Sequence, residues 1–283
     1  MRKRKGLWGI GLSALLLLAS FPAARGQEVT TFVLDNGMQF ILQENHSNPM
    51  IASVVAVKAG SRHETETNNG VSHLLEHLLF SGTRSRSRQE IAGEIKRKSG
   101  YLNAFTRKDA TAYILLIPKE FVEEGLEIQA DMLFNATIPE EELAKERKVV
   151  IEEINKDLDT PRYQVELAFD QQVYAQTPYA RPILGSKKIV ADLPRSQILG
   201  YYHRHYVPNN MVALITGDFD TQEMIQRLKR RFEIFPPRPL PSEPPPSPPA
   251  WARPPSPTAP TERVVYQPGP VQTVQIQLAF PAP

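Results

Sequence analysis

Two short runs, residues 30–34 and 39–44, lie on either side of Asp35-Asn36-Gly37, and this pattern predicts a β-hairpin. Residues 52–57 have β-branched character and read as a third strand, ended by Gly60. Asn68-Asn69-Gly70 precedes a helix running to about Ser81, with Gly82 as its stop. A second helix over 91–98 and two strands over 101–106 and 111–117 follow. Residues 119–134 and 139–157 are both amphipathic helices, and Pro139 suits a first helical turn. Residues 164–174 and 195–205 continue the helical pattern, 211–216 returns to strand, and 221–232 is a final helix. Strands mixed with blocks of helices predict an α+β domain ending near Phe235.

The pattern breaks at residue 236. Thirteen of the 25 residues in 236–260 are Pro, which excludes ladders and helices and favours extended polyproline conformation. At about 3.1 Å per residue such a segment spans up to roughly 75 Å, so it reads as a linker. Beyond it, 263–266 and 271–280 look like strands again, and the sequence stops at Pro283. A few strand residues do not make a domain alone. The expected organisation is a domain over 27–235, a linker over 236–260 and the opening of a second domain over 261–283.

Residues 1–26 have the layout of a secretory signal. Arg2, Lys3, Arg4 and Lys5 form a charged start, residues 7–21 are mostly apolar, and Ala24-Arg25-Gly26 offers small residues before a cleavage point at Gln27. The apolar run is short of the roughly 20 residues a transmembrane helix needs. Export to a periplasmic or extracellular location is therefore expected, with no stable membrane span after cleavage. The chain has no Cys, which excludes disulfides, thiolate metal ligands and cysteine-linked lipid. Asn45-His46-Ser47 and Asn135-Ala136-Thr137 match the glycosylation pattern, which is common by chance.

Hydrophobic content of 41% supports a real core in 283 residues, and a net charge of +2 leaves no electrostatic footprint for nucleic acid. The one basic cluster, Arg84-Ser85-Arg86-Ser87-Arg88, reads as a solvated loop leading into a helix, because Ser87 and Glu90 form a capping-box pattern.

Candidate chemistry sits in His73-Leu74-Leu75-Glu76-His77, which reads His-x-x-Glu-His, the inverted helical zinc-protease motif. On a helix, positions i, i+3 and i+4 share a face. Both imidazoles can then reach one metal ion, with a carboxylate beside them to handle a water proton. Catalytic zinc takes three protein ligands and keeps one position open, so a third His or carboxylate is required. The region 146–153 offers it. Glu146 and Glu153 are seven residues apart, two helical turns, and share a face. Glu152 lies about 100° round from Glu153. His63, His203 and His205 have no ligand spacing to the motif and read as surface or structural histidines.

These residues resemble the pitrilysin and insulinase metallopeptidases, the M16 group that includes mitochondrial processing peptidase. The resemblance extends over Ala59-Gly60-Ser61-Arg62 with Glu64, over Asn69 through His77, and over Phe80 and Gly82-Thr83. It continues in Leu102-Asn103-Ala104-Phe105-Thr106 with Asp109, Thr111 and Tyr113, and in Glu146 through Glu153. It covers roughly residues 28–235. It implies a mixed or antiparallel sheet flanked by helices, the LuxS/MPP-like metallohydrolase half-domain. Carried over by position, it implies Zn2+ held by His73, His77 and Glu153, with Glu76 as general base. Glu146 matches an accessory carboxylate beside the ligands. Asn103 and Ala104 match strand-edge positions that hold the substrate backbone.

The chemistry agrees with those roles. Two neutral imidazoles and one carboxylate leave a zinc site net positive, which lowers the pKa of zinc-bound water toward about 7. Glu76 can take that proton and pass it to the leaving amine. Glu146 is a candidate to accept an imidazole N–H and fix a ligand's orientation. An extended peptide added to the 101–106 edge would be read through its backbone, which predicts broad specificity. The resemblance also implies two similar halves facing each other, of which this sequence holds the first and only the opening strands of a second. Two readings follow. The first is an exported zinc-dependent endopeptidase acting on peptide or unfolded protein, alone or with a second M16-type chain. The alternative is a non-catalytic truncated fragment or partner subunit that binds peptide or a homologous chain.

Overall fold

A computed structural model describes residues 29–241, 274 and 276–279. The signal-like segment 1–26, the run 242–260 and the predicted strand at 263–266 lie outside the described residues. The chain opens with strands β1 (Val29–Val33), β2 (Gln39–Glu44) and β3 (Met50–Val57). Helices α1 (Val71–Leu79) and α2 (Arg88–Arg97) precede strands β4 (Tyr101–Thr106) and β5 (Thr111–Pro118). Helices α3 (Val122–Asn135), α4 (Glu140–Leu158), α5 (Pro161–Val173), α6 (Lys187–Asp192) and α7 (Arg195–His205) follow. Strand β6 (Met211–Gly217) and helix α8 (Thr221–Phe232) complete the set.

The six strands form one mixed sheet in the order β1-β2-β6-β3-β5-β4. All pairs are antiparallel except β2 with β6. The last of the described strands in sequence therefore lies in the middle of the sheet, between β2 and β3. The first turn is built as its sequence predicts. Gly37 sits at φ 83°, where a side chain would be strained. Asn36 Oδ1 accepts from the Met38 N–H at 3.2 Å, and its amide donates to the carbonyls of Phe232 and Phe235. The hairpin is thus tied to the end of α8.

Alternation along the strands gives the sheet two different faces. On one, Phe40 stands beside Ala213, Val55 opposite Ala213, and Tyr113 opposite Val55. These side chains are buried beneath the helices. Gln129 of α3 accepts from Ser53 Oγ at 2.7 Å on this face, and Gly125 brings α3 against Leu115 and Ile117. On the other face, the row Ile41, Leu214, Val54, Ile114 is also apolar but only partly covered, with Leu214 40% exposed.

Several expectations need correction. The helix expected over 119–134 is two pieces, a 3-10 turn at Lys119–Phe121 and then α3. Pro139 caps α4 from outside its first turn, and α6 was not anticipated. Of the strand expected over 271–280, residues 274 and 276–279 are described; they are exposed and belong to no strand, since no ladder pairs with them. The capping box of Ser87 and Glu90 is present at α2. Of the arginines around its start, Arg84 is exposed as expected, but Arg86 and Arg88, the first residue of α2, are not solvated. Arg86 reaches Glu94, Glu127 and Asp131, and Arg88 reaches Glu142 and Glu146. Carboxylates supplied by α3 and α4 draw these side chains inward.

Candidate metal centre

Helix α1 starts at a Gly70 held at φ 101°, which lets the chain turn sharply into the first helical residue. The exposed N–H groups of that first turn need partners. The buried Glu64 carboxylate supplies them, accepting from Gly70 N and Ser72 N at 2.8 Å each and from the Asn69 amide at 2.7 Å. Burial raises the Glu64 pKa, and those donors work against the rise. Ser72 Oγ and Tyr201 Oη of α7 lie 2.8 Å apart, which fixes the helix from its other side. Leu74, Leu75, Leu78 and Leu79 are fully buried. His73 and His77 are left on the one face that is not sealed, with ring centroids 4.8 Å apart.

Helix α4 crosses that face and brings Glu146 and Glu153 to it. Glu153 Oε2 lies 3.7 Å from His73 Nε2 and 3.6 Å from His77 Nε2. One ligand atom from each of the three residues lies within 4.8 Å of the others, the only such group among the described residues. These separations are too long for hydrogen bonds. They are close to the roughly 3.4 Å ligand-to-ligand edges of a tetrahedral ion with bonds of about 2.1 Å. A donor set of two imidazoles and one carboxylate suits zinc. Glu152 points to solvent, and none of His63, His203 and His205 joins the group.

Electrostatics treat the two rings differently. Burial, helped by the neighbouring His77, pushes His73 down to about 4, so its ring is neutral near pH 7. His77 differs. Burial opposes its charged form, but the hydrogen bond with Glu146 and the charges of Glu153, Glu146 and Glu76 outweigh burial and raise its pKa. His77 Nδ1 is 2.9 Å from Glu146 Oε2, so the ring donates there and turns its Nε2 toward Glu153. Burial alone would raise Glu146, yet the hydrogen bonds from His77 and Arg88 win and lower it. Arg88 Nη2 donates to Glu146 Oε1 at 2.5 Å. Arg88 was not expected near the site. Its position one residue past an N-cap carries no such signal, and its partner lies 58 residues away.

Glu76 lies beside the cluster and is 9% exposed. Burial raises its pKa, against a hydrogen bond from Thr106. Asn103 and Ala104 are not part of the three-residue group. They lie on β4, which forms one edge of the sheet and pairs only with β5 among the described strands. Asn103 is exposed, its Oδ1 accepts the Ala104 N–H at 2.9 Å, and its amide donates to Tyr101 Oη.

Two family descriptions match the chain. Insulinase (Peptidase family M16) covers residues 39–187, and Peptidase M16 inactive domain covers 192–283. The boundary between them falls inside the six-stranded sheet, because β6 belongs to the second match and lies among strands of the first. An uncharacterized zinc protease of Bacillus subtilis is 35% identical over 73% of this chain and 50% of its own length. A probable mitochondrial-processing peptidase subunit beta of Schizosaccharomyces pombe is 32% identical over 76% of this chain and 47% of its own. The crystal structure of a protease from Helicobacter pylori superposes with a TM-score of 0.74 at 26% identity, over 78% of this chain and 54% of that one. The chain spans about half the length of the curated relatives it matches. The family match over 39–187 and the relatives' identity agree, and the chain belongs to the insulinase family of M16 peptidases.

Proposed function

We propose that this chain is a zinc-dependent endopeptidase unit that hydrolyses extended peptides. The single observation that carries the proposal is the convergence of His73, His77 and Glu153 on one point beside the buried Glu76 carboxylate. His73 Nε2, His77 Nε2 and Glu153 would hold the zinc, and Glu146 would keep the His77 ring in its tautomer and orientation. Zinc, when bound, supplies the Lewis acidity that polarises a scissile carbonyl and acidifies water. Glu76 takes the proton of the attacking water and gives it to the leaving amine. The open edge of β4, with Asn103 and Ala104, would receive the peptide as an added strand. In that pose Asn103 would have to release the Ala104 N–H it holds.

The chain would be organised as a zinc-binding domain over 27–235, a Pro-rich linker over 236–260 and the start of a second domain over 261–283. The charged and apolar start of the sequence supports export to a periplasmic or extracellular site. Among the described residues no helix is long and apolar enough to cross a membrane. A second reading, a fragment or partner subunit that needs a homologous chain for turnover, is favoured by one observation: the curated relatives are about twice as long as the matched region.

The test is cleavage of an unstructured peptide by the purified chain with added zinc, beside Glu76→Gln. Loss of a general base lowers the rate by about 10²–10⁴. Cleavage that vanishes in the variant supports the first reading. A folded chain that binds one zinc and cleaves nothing directs the assignment to the second.

A further inference from the structure

Thr106 ends β4 and is the last residue of the strand whose edge is open. Alternation along the strand puts Tyr101, Asn103 and Phe105 on the exposed face and turns Thr106 the other way, toward α1. Its side chain is buried, and Oγ1 donates a hydrogen bond to Glu76 Oε2. The strand holds that residue firmly, since Thr106 pairs with Thr111 of β5, and Thr111 Oγ1 is in turn bonded to the Ala59 carbonyl. A hydroxyl donor uses one of the carboxylate's two oxygens. Oε1 is then the oxygen left to receive a proton, and rotation of the carboxylate about its Cγ–Cδ bond is restrained. A β-branched residue is suited to the task because its χ1 has few alternatives.

We propose that Thr106 is the positioning residue of the general base, holding Oε2 of Glu76 so that Oε1 faces the attacking water. The inference rests on the endopeptidase reading of the site. It has a corollary. β4 carries both the peptide-accepting edge and the group that orients the base, so a peptide that shifts the strand shifts the base with it.

The experiment compares Thr106→Val, which keeps the shape and removes the donor, with Thr106→Ser, which keeps the donor. Three quantities are measured on the full chain: zinc per chain, peptide turnover, and the affinity of the zinc-loaded protein for a tripeptide hydroxamate by calorimetry. The hydroxamate reports on the carboxylate without turnover, because it offers a proton to the same oxygen. Misplacing a reacting group by about 1 Å can cost on the order of 100-fold, so Thr106→Val should lower kcat by about 10- to 100-fold with KM within about twofold. Hydroxamate binding should weaken about tenfold, zinc content should stay at one per chain, and Ser should restore both readouts. Thr106→Ala, which adds no methyl group against the carboxylate, should repeat the loss if Val disturbs the fold. Val matching the unsubstituted chain in hydroxamate binding overturns the proposal, and so does Ser failing as Val does. If the unsubstituted chain holds no zinc, or Glu76→Gln binds and cleaves as well as it does, the endopeptidase reading falls, and the role of Thr106 falls with it.

Discussion

The two helices that meet at the metal centre are held in opposite ways. Helix α1 is short and surrounded. Seven of its nine residues are buried, its N-terminus is bonded to Glu64, and only the two imidazoles look outward. Helix α4 runs for 19 residues and buries only Leu143, Glu146, Val150 and Ile154. Its Glu153 side chain is 41% exposed against 13% for His73. Two candidate ligands thus rest on a helix the core has locked, and the third on a helix that buries a single stripe. The difference teaches where rigidity in such a centre originates. For α1 it comes from burial on nearly every side. For α4 it comes from a few apolar contacts, from the polar chain that links Arg88 through Glu146 to His77, and from Arg147, which donates to the carbonyls of Ala191 and Leu193.

Substitutions on the two helices should separate these contributions. The largest effect is expected for Leu75→Ala in α1, where the side chain is wholly buried. Such a cavity costs about 2–5 kcal/mol, read as a lower denaturation midpoint with an unchanged slope. If the loss is under about 1 kcal/mol, α1 is not locked by its packing. Next comes Glu146→Gln in α4. It keeps the shape but removes the charge beside His77 and Arg88. Removing a carboxylate that orients a ligand weakens metal binding by about 10- to 100-fold, which competition with a zinc chelator would measure. An unchanged affinity would mean that His77 is oriented by α1 alone. The smallest effect is expected for Val149→Ala. This residue lies on the same helix, between Glu146 and Glu153, but is 45% exposed. Its stability should change by no more than about 0.5 kcal/mol, with zinc affinity intact. A larger loss would show that α4 leans on its outer side as well.

What could be read from the sequence follows the same division. The histidines of α1 are legible because i and i+4 on one helix need no knowledge of the fold. The limits of α7 and α8 and the capping box of α2 are legible for the same reason, since their signals lie within a few residues. Pairing Glu153 with α1 required the family resemblance, because its partners lie on another helix. Thr106 stands within the resemblance, but nothing there pairs it with Glu76, and Arg88 carries no signal. Each bonds a carboxylate 30 or 58 residues away, and no spacing marks either pairing. The arginine-rich loop misled for a physical reason. Arg and Ser in alternation look solvated until the acidic faces of α3 and α4 are set against them. The 3-10 turn before α3 was equally hidden, since Lys119 and Phe121 fit either helix type.

The place of β6 bears on how the molecule is made. Chains emerge from the ribosome N-terminus first, and a domain folds when its contacts become available. The β1–β2 pair and the β3–β5–β4 group are complete by Pro118, yet among the described strands no ladder joins them directly. In the sheet they are joined by Met211 to Gly217, which pairs with β2 on one side and β3 on the other. A fragment ending at 187, where the first family match stops, would contain every candidate ligand and the proposed base Glu76. It would lack the strand that turns two part-sheets into one, and contacts of such long sequence separation close late and slowly. The helices that carry the ligands would wait, during synthesis, for a strand translated some 60 residues after the last of them.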